Sequence, residues 1–178
     1  MTSPQARAAA ARPAPAEPTV DCSATAARVA TLFVIGHASR GDDGAAEAAV
    51  AHVASTALEA IDVVRAPDLD VEALMGAGPI VVVDAIRGPT PGTIVVWTLA
   101  EVAELPNAPT ASTHGLPLPA VLKLAAALGG HPLAGRFVGI AGARFTIGSP
   151  LSAAVRDALP AAARAVEAAL REVATPCA

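Results

Sequence analysis

The sequence predicts a three-layer α/β/α domain built on a mostly parallel, mixed five-stranded sheet. Short apolar runs alternate with helical patterns in the order β, α, β, α, β, β, α, β, α. Residues 79–84 (PIVVVD) contain no polar residue before the last position, which is typical of a central strand covered on both faces. Aromatic residues make up only 2% of the chain, so the core must consist of Val, Leu, Ile and Ala.

The composition excludes several classes of function. The 178 residues suit one domain, which we place at residues 30–174, and residues 1–29 are predicted to be a disordered leader rich in Ala and Pro. The net charge of −4 gives no basic face for nucleic acid, and no apolar stretch resembles a membrane span. Cys22 and Cys177 could pair, but they make neither a disulfide framework nor a metal site. We therefore expect a protein of the reducing cytoplasm.

The first half of the domain is predicted to contain two strands and two helices. Residues 31–35 are apolar and β-branched, as expected of a buried strand, and residues 61–65 form a second short strand. Residues 45–60 have the spacing of an amphipathic helix, and a brief helix follows at residues 71–75. The apolar stripe of the longer helix consists of Val50, Val53, Ala57 and Leu58.

The middle of the domain contains the third strand, residues 79–84, and a fourth at residues 94–99. The Pro/Gly turn that joins them, RGPTPGT, is too short for a parallel crossover. We therefore expect these two strands to form an antiparallel hairpin, with the antiparallel strand at or near one edge of the sheet. Residues 100–113 then form a polar connection that is long enough to return to the other end of the sheet.

The last third of the domain is predicted to contain a helix at residues 118–128, a buried strand at residues 137–141 and a final helix at residues 151–173. Pro160 lies inside the final helix and should cause a bend or a broken turn. The apolar face of this helix consists of Val155, Leu159, Ala162, Val166 and Leu170.

Acidic residues follow two of the predicted parallel strands. Asp42 and Asp43 come between the first strand and its helix, and Asp84 ends the third strand, so these acids should meet at the carboxyl edge of the sheet. Adjacent side chains point in different directions. We therefore interpret Asp42 as a cap or loop brace and Asp43 as the residue that faces the crevice. Asp68 and Asp70 are interpreted as turn and cap residues.

His114 lies on the connection that returns toward the same edge. Two carboxylates and one imidazole suit a borderline divalent ion such as nickel or zinc, with positions left open for water or substrate. A bound cation would also relieve the repulsion between neighbouring carboxylates. The sequence does not favour nucleotide binding or serine-dependent hydrolysis, because it has no Gly-rich phosphate loop of the usual spacing and no Ser in a nucleophile elbow.

Four motifs, in the right order over residues 31–174, resemble the nickel–iron hydrogenase maturation proteases. The opening strand and acid pair are VIGHASRGDDG, and the second acid is in VVVDAI. The His-centred segment is STHGLPLPAVLKLAAALGG, and the closing strand and helix start are FVGIAGA and SPLSAAV. The chain departs from the family pattern at His37, where many members have Asn, and at residues 65–67, where many have an Asp-Gly-Gly segment.

The resemblance implies a phosphorylase/hydrolase-like fold and metal-contacting, catalytic residues at Asp43, Asp84 and His114. It implies an endopeptidase that removes the C-terminal extension of the hydrogenase large-subunit precursor after nickel insertion, with the nickel supplied by the precursor. We expect a cytoplasmic monomer with no nucleic-acid or membrane partner.

Two questions of mechanism and function stay open at the level of sequence. The precursor's nickel could polarise the scissile carbonyl or activate water, or either Asp43 or Asp84 could act as a general base. A nickel-checking or chaperone protein of the same fold that does not cleave is the alternative function. A nucleotide-binding, flavodoxin-like domain would place ligand phosphates at residues 37–44, where the acids oppose them.

Overall fold

The computed structural model describes residues 30–88, 90–106 and 116–174. The strands are β1 (Ala30–Ile35), β2 (Ile61–Ala66), β3 (Ile80–Arg87), β4 (Ile94–Thr98) and β5 (Gly135–Gly142). The helices are α1 (Ala45–Val50), α2 (Ser55–Leu58), α3 (Val71–Met75), α4 (Leu99–Ala103), α5 (Leu118–Gly129) and α6 (Ala153–Ala174), and a 3-10 helix spans Gly41–Gly44.

The five strands form one mixed sheet in the order β2-β1-β3-β5-β4. The first four strands of that order are mutually parallel, and β4 at the edge is antiparallel to β5. The predicted mixed, mostly parallel sheet is therefore confirmed. The most apolar strand, β3, lies in the middle, and its residues 80–83 are all buried.

The predicted β3–β4 hairpin is wrong, because β5 lies between these two strands. β5 is buried along six consecutive residues, so it needs a neighbour on each side. The turn after β3 passes over the end of β5, where Gly92 N–H donates to the Ala141 carbonyl at 2.7 Å and Ala141 N–H donates to the Thr93 carbonyl at 2.8 Å. The prediction of an antiparallel edge strand is correct, but its partner comes from much later in the chain.

Two hydrophobic cores cover the two faces of the sheet and make the domain three-layered. One core packs α1 and α6 against β1, β3 and β5. The other packs α3, α4 and α5 against the opposite face of the same strands. Because β-strand side chains alternate, successive residues of β3 such as Val81 and Val82 enter different cores.

The helix predicted over residues 45–60 is broken into α1 and α2. At the break Ala54 has an extended backbone, with φ −59° and ψ 134°. Its N–H donates to the Glu167 side chain of α6 at 3.0 Å instead of to a helical carbonyl. The predicted apolar stripe is kept, because Val50 and Val53 are buried in the first core and Ala57 and Leu58 pack against it.

The remaining helices show two further differences from the sequence prediction. Leu99, predicted to end the fourth strand, and residues 100–103, predicted as part of a polar connection, form α4, which begins with a capping box between Thr98 and Glu101. The final helix runs through Pro160 without a broken turn. Pro160 is exposed, so the carbonyl that loses its helical donor can be hydrated. All five residues of the predicted apolar face of α6 are buried.

Several predictions concern residues outside the described part of the chain. These are the leader at residues 1–29, the two cysteines, and residues 107–115 with His114. Within the described ranges, no helix combines the length and the apolar character needed to cross a lipid bilayer.

Candidate functional site

The carboxyl ends of β1 and β3 bring two acidic segments to the same edge of the sheet. The strands are direct neighbours, with Val34 of β1 level with Val83 of β3. Asp84 comes one residue later on β3, and Asp43 lies in the 3-10 helix that follows β1. The structure therefore brings Asp43 and Asp84 to one edge, as the sequence pattern predicts.

Asp42 is a buried structural brace, as predicted. Its side chain is fully inaccessible to solvent. Its Oδ2 accepts hydrogen bonds from the N–H groups of Ala143 and Arg144, both at 2.9 Å, and its Oδ1 accepts one from Ser152 N–H at 2.6 Å. Burial alone would raise the pKa of Asp42, but the three backbone donors and the Ser152 side chain outweigh it and hold the pKa below its usual range. Asp42 therefore ties the loop after β1 to the loop after β5.

Asp43 is held in a different environment from its neighbour. Its side chain is 20% exposed, and its Oδ2 lies 3.9 Å from Arg40 Nε. The 3-10 helix approaches β1 very closely, because a Cβ at Gly36 would lie 2.1 Å from the Asp43 carbonyl oxygen. Gly36 also has φ +124°, a conformation that other residues rarely adopt. Gly36 thus allows the chain to turn at the end of β1 and to set Asp43 beside it.

Asp84 lines a cavity of about 170 Å³ that opens next to the end of β3. One carboxyl oxygen accepts a hydrogen bond from Ala85 N–H at 2.7 Å. Burial, followed by the negative charges of Asp43 and Asp68, raises the pKa of Asp84 to about 7 although the Ala85 N–H opposes the shift. A carboxyl group with such a pKa exchanges its proton near neutral pH, as general acid–base catalysis requires.

Asp68 is a member of this cavity that the sequence interpretation missed. It lies after β2, in a segment where the sequence predicts only turn and cap residues. Asp70 does cap α3, by accepting a hydrogen bond from Ala73 N–H at 2.7 Å. Asp68 lines the same cavity as Asp84. Its position just after a parallel strand was the available signal, since the carboxyl ends of all such strands meet at one edge.

A second cavity, of about 190 Å³, lies on the other side of β1 beside Asp43. Ile35 lines both cavities, so they adjoin at the end of β1. Arg65 and Glu47 stand at the second cavity and form an ion pair with a shortest distance of 2.9 Å. Arg65 is one of the residues at which the chain departs from the Asp-Gly-Gly pattern, so this departure adds a cation at the rim of the site.

The histidines are placed as follows. His37 is exposed, and its Nδ1 lies 3.1 Å from Ser39 Oγ within its own loop, so the loop hydrogen bond expected of a bracing residue is present. His114 lies outside the described residues, so the full set of Asp43, Asp84 and His114 stays a prediction. Within the described ranges, no group of three or more His, Cys, Asp or Glu side chains is arranged to hold a metal ion.

Comparisons with known proteins identify the relatives of this fold. The sequence model of the hydrogenase maturation protease family matches residues 48–170, a stretch that includes Asp84 and begins after Asp43. No curated protein matches the chain.

Several solved structures share the fold. The hydrogenase maturating endopeptidase HybD from Escherichia coli is 21% identical with a TM-score of 0.65, over 80% of this chain and 91% of that chain. An endopeptidase from Escherichia coli is 24% identical with a TM-score of 0.61, over 80% and 93% of the two chains. The maturation protease HycI from Thermococcus kodakarensis is 19% identical with a TM-score of 0.58, over 79% and 91%.

Proposed function

The chain belongs to the hydrogenase maturation protease family, and from this premise we propose how it acts as the endopeptidase that processes a hydrogenase precursor. The proposed substrate is the large-subunit precursor of a nickel–iron hydrogenase, cut to remove its C-terminal extension after nickel insertion. The proposed site consists of Asp43, Asp84 and His114. The observation that carries the proposal is the meeting of Asp43 and Asp84 at the carboxyl ends of adjacent strands.

The charges of this edge favour a cationic centre in the substrate. The negative charges of Asp43 and Asp68 add to the larger effect of burial in raising the pKa of Asp84. A divalent cation carried by the precursor would offset this repulsion. Carboxylate and imidazole groups are suitable ligands for nickel, so the nickel of the precursor is recognised as part of the substrate.

Each of the two acids has a distinct part in the proposed mechanism. Asp43, with Arg40 beside it, contacts and orients the nickel-bearing end of the precursor. Asp84 and Asp68 lie in a cavity otherwise lined by apolar residues, where a water molecule can be held against the scissile carbonyl. If Asp84 is the general base, it accepts the proton of that water as the C–O bond forms and returns it to the leaving amine as the C–N bond breaks. If the nickel activates the water instead, Asp84 only holds the nickel.

The decisive experiment is to incubate the protein with nickel-loaded precursor and to look for a shorter large subunit. The parent protein should convert the precursor, whereas His114→Ala should leave it uncut and still fold. His52→Ala is the matched control, because His52 is exposed and its ring bonds to the Ala48 carbonyl of the preceding helix α1 at 2.9 Å. Binding without cleavage by the parent would overturn the proposed activity and favour a nickel-checking chaperone.

Nickel-free precursor separates the two routes of the mechanism. Activation by nickel predicts no cleavage without the metal. General-base catalysis by Asp84 predicts residual cleavage that rises with pH through an apparent pKa of about 7, the value of the free carboxyl group.

A further inference from the structure

A cationic surface lies directly beside the candidate site, and only Arg40 of its residues takes part in the site described above. It consists of Arg40, Arg87, Arg144, Phe145 and Ile147, from three separate segments of the chain. Arg40, Arg87 and Arg144 are exposed, Phe145 is partly buried, and Ile147 is 78% exposed. Phe145 and Ile147 therefore place apolar surface in the same segment as the exposed cation of Arg144, and aromatic residues and arginine are enriched at protein–protein interfaces.

The three segments are held together by specific contacts. The Asp42 brace fixes residues 143 and 144 beside the 3-10 helix, and Gly148 N–H donates to the Ser39 carbonyl at 2.7 Å. The Arg87 guanidinium carbon lies 4.6 Å from the centre of the Phe145 ring. The surface is therefore ordered before any partner binds, which lowers the entropic cost of binding.

The charge of this surface is opposite to that of the whole chain. The protein has a net charge of −4, yet residues 37–41, 87–88 and 143–149 contain no acidic residue. Arg65 and Arg136 elsewhere are paired with Glu47 and Glu172.

Within the described part of the chain, by contrast, the guanidinium groups of Arg87 and Arg144 have no carboxylate partner in an ion pair, and the Arg87 cation contacts only the Phe145 ring. These cations are thus available to carboxylates of another molecule.

The position of the surface indicates what binds there. Arg40 connects it to the candidate site, because Arg40 Nε lies 3.9 Å from Asp43 Oδ2. A protein whose peptide bond reaches Asp43 and Asp84 must also lie against the surface next to them. The occupant is therefore part of the substrate itself, and charge complementarity requires that part to be acidic.

We propose that the surface formed by Arg40, Arg87, Arg144, Phe145 and Ile147 docks an acidic segment of the hydrogenase precursor that also presents an apolar side chain to Ile147. This inference rests on the proposed function, and it adds the substrate chemistry that the surface selects. The arginines speed encounter with the precursor and hold it, while Asp43 and Asp84 act on the scissile bond.

The test compares the parent with the double variant Arg87→Gln/Arg144→Gln, using precursor binding and processing at about 50 and 300 mM salt. The Kd and KM of the parent should rise with salt. The double variant should show Kd and KM raised about tenfold at low salt, kcat within about twofold of the parent, and little further salt dependence. Ile147→Ser should raise KM without changing the salt dependence.

The control is Arg164→Gln, which removes an exposed arginine from α6, away from the three segments. This variant should leave Kd and KM unchanged. Unchanged Kd and KM in the double variant, or a loss of kcat alone, would overturn the docking surface. So would self-association of the parent that the double variant lacks, since the occupant would then be a second copy. Salt-dependent binding through the arginines without cleavage would support the docking surface while contradicting the proposed peptidase activity.

Discussion

At the residue scale, two adjacent aspartates have opposite environments. The Asp42 carboxylate has no contact with solvent and accepts hydrogen bonds from three backbone N–H groups. The Asp43 side chain is one-fifth exposed and lies beside Arg40. A carboxylate that satisfies three backbone donors is needed by the fold, because without it those N–H groups would be buried and unpaired. A carboxylate at the rim of a cavity is available to a substrate.

The matched pair Asp42→Asn and Asp43→Asn tests this division. Asp42→Asn should lower the free energy of unfolding by about 2–3 kcal/mol, since an amide cannot accept all three hydrogen bonds and carries no charge. Asp43→Asn should change it by less than about 1 kcal/mol and abolish processing of the precursor. Urea denaturation and the processing assay on the same preparations check both results. Equal losses of stability in the two variants would contradict the assignment.

The pKa of Asp84 leads to a pH-dependent prediction. A raised pKa means that the folded protein holds this proton more tightly than the unfolded chain, so the contribution to stability is present below about pH 4 and is lost as the pH rises through about 7. Asp84→Asn removes the titration. The variant should have a higher Tm than the parent at pH 8, and the difference should narrow as the pH falls to 4.

The size of that effect has an upper limit of about 4 kcal/mol, and solvent at the partly buried carboxyl group reduces it. Thermal unfolding from pH 4 to pH 8 measures the difference, and processing by the variant should be lost. If the Tm difference between Asp84→Asn and the parent widened toward low pH, Asp84 would be stabilised as the anion, which contradicts the raised pKa. A stable variant that processes at the parent rate would refute the role of Asp84 in the mechanism.

At the scale of elements, the close approach of the 3-10 helix to β1 positions the site. The contact depends on Gly36, whose positive φ and missing side chain let the Asp43 carbonyl lie against it. Gly44 makes a similar close approach, because a Cβ there would lie 2.9 Å from Ala38 Cα. The 3-10 helix is thus held against the loop that follows β1 through backbone contacts at two glycines, and against the segment that follows β5 through Asp42.

Gly36→Ala should therefore disturb both the fold and the site. The added methyl group would lie 2.1 Å from the Asp43 carbonyl oxygen, in a backbone conformation that Ala rarely adopts. We therefore expect the free energy of unfolding to fall by about 2–3 kcal/mol. Processing per folded molecule should also fall, because Asp43 must move.

Gly78→Ala is the control, since a Cβ there would have no atom within 4 Å and Gly78 has no positive φ. Chemical denaturation and the processing assay measure both effects. If Gly36→Ala were as mild as the control, the argument for a close approach would be wrong.

At the scale of the whole molecule, one sheet joins two cores. The core on the α1 and α6 face and the core on the α3, α4 and α5 face share β1, β3 and β5, whose alternate residues enter each. If packing is lost on one face, β1, β3 and β5 are no longer held in place, and the core on the other face depends on the same strands. We therefore expect one cooperative unfolding transition.

Leu170→Ala tests this coupling with a built-in probe on the opposite face. Leu170 is buried in the core under α6, whereas Trp97, the one tryptophan of the chain, packs on the other face and stacks on Phe137. The free energy of unfolding of the variant should fall by about 2–5 kcal/mol. Trp97 fluorescence and far-UV circular dichroism should report the same midpoint of denaturant unfolding. Leu128→Ala, at a side chain 60% exposed, should have little effect. Separate midpoints would show that the two faces unfold independently.

The sequence by itself determined the local features. The 3–4 spacing in α6 identified its five buried positions, and the uninterrupted apolar run of β3 identified the central strand. The different directions of neighbouring side chains separated Asp42 from Asp43. Even α4 was encoded locally, since Thr98 and Glu101 have the spacing of a capping box. Each of these signals depends on residues a few positions apart, so it can be read without knowing the partner.

Only the tertiary structure decided which distant residues meet. β3 and β4 are separated in the sheet because each pairs with β5, a strand some forty residues later in the chain. The break in the helix at Ala54 depends on the hydrogen bond to Glu167 of α6. Asp68 reaches the cavity of Asp84 because β2 ends at the same edge as β3. Periodicity records which face of an element is buried, but it carries no information about the neighbour on that face. The neighbour is selected by the free energy of packing the whole chain.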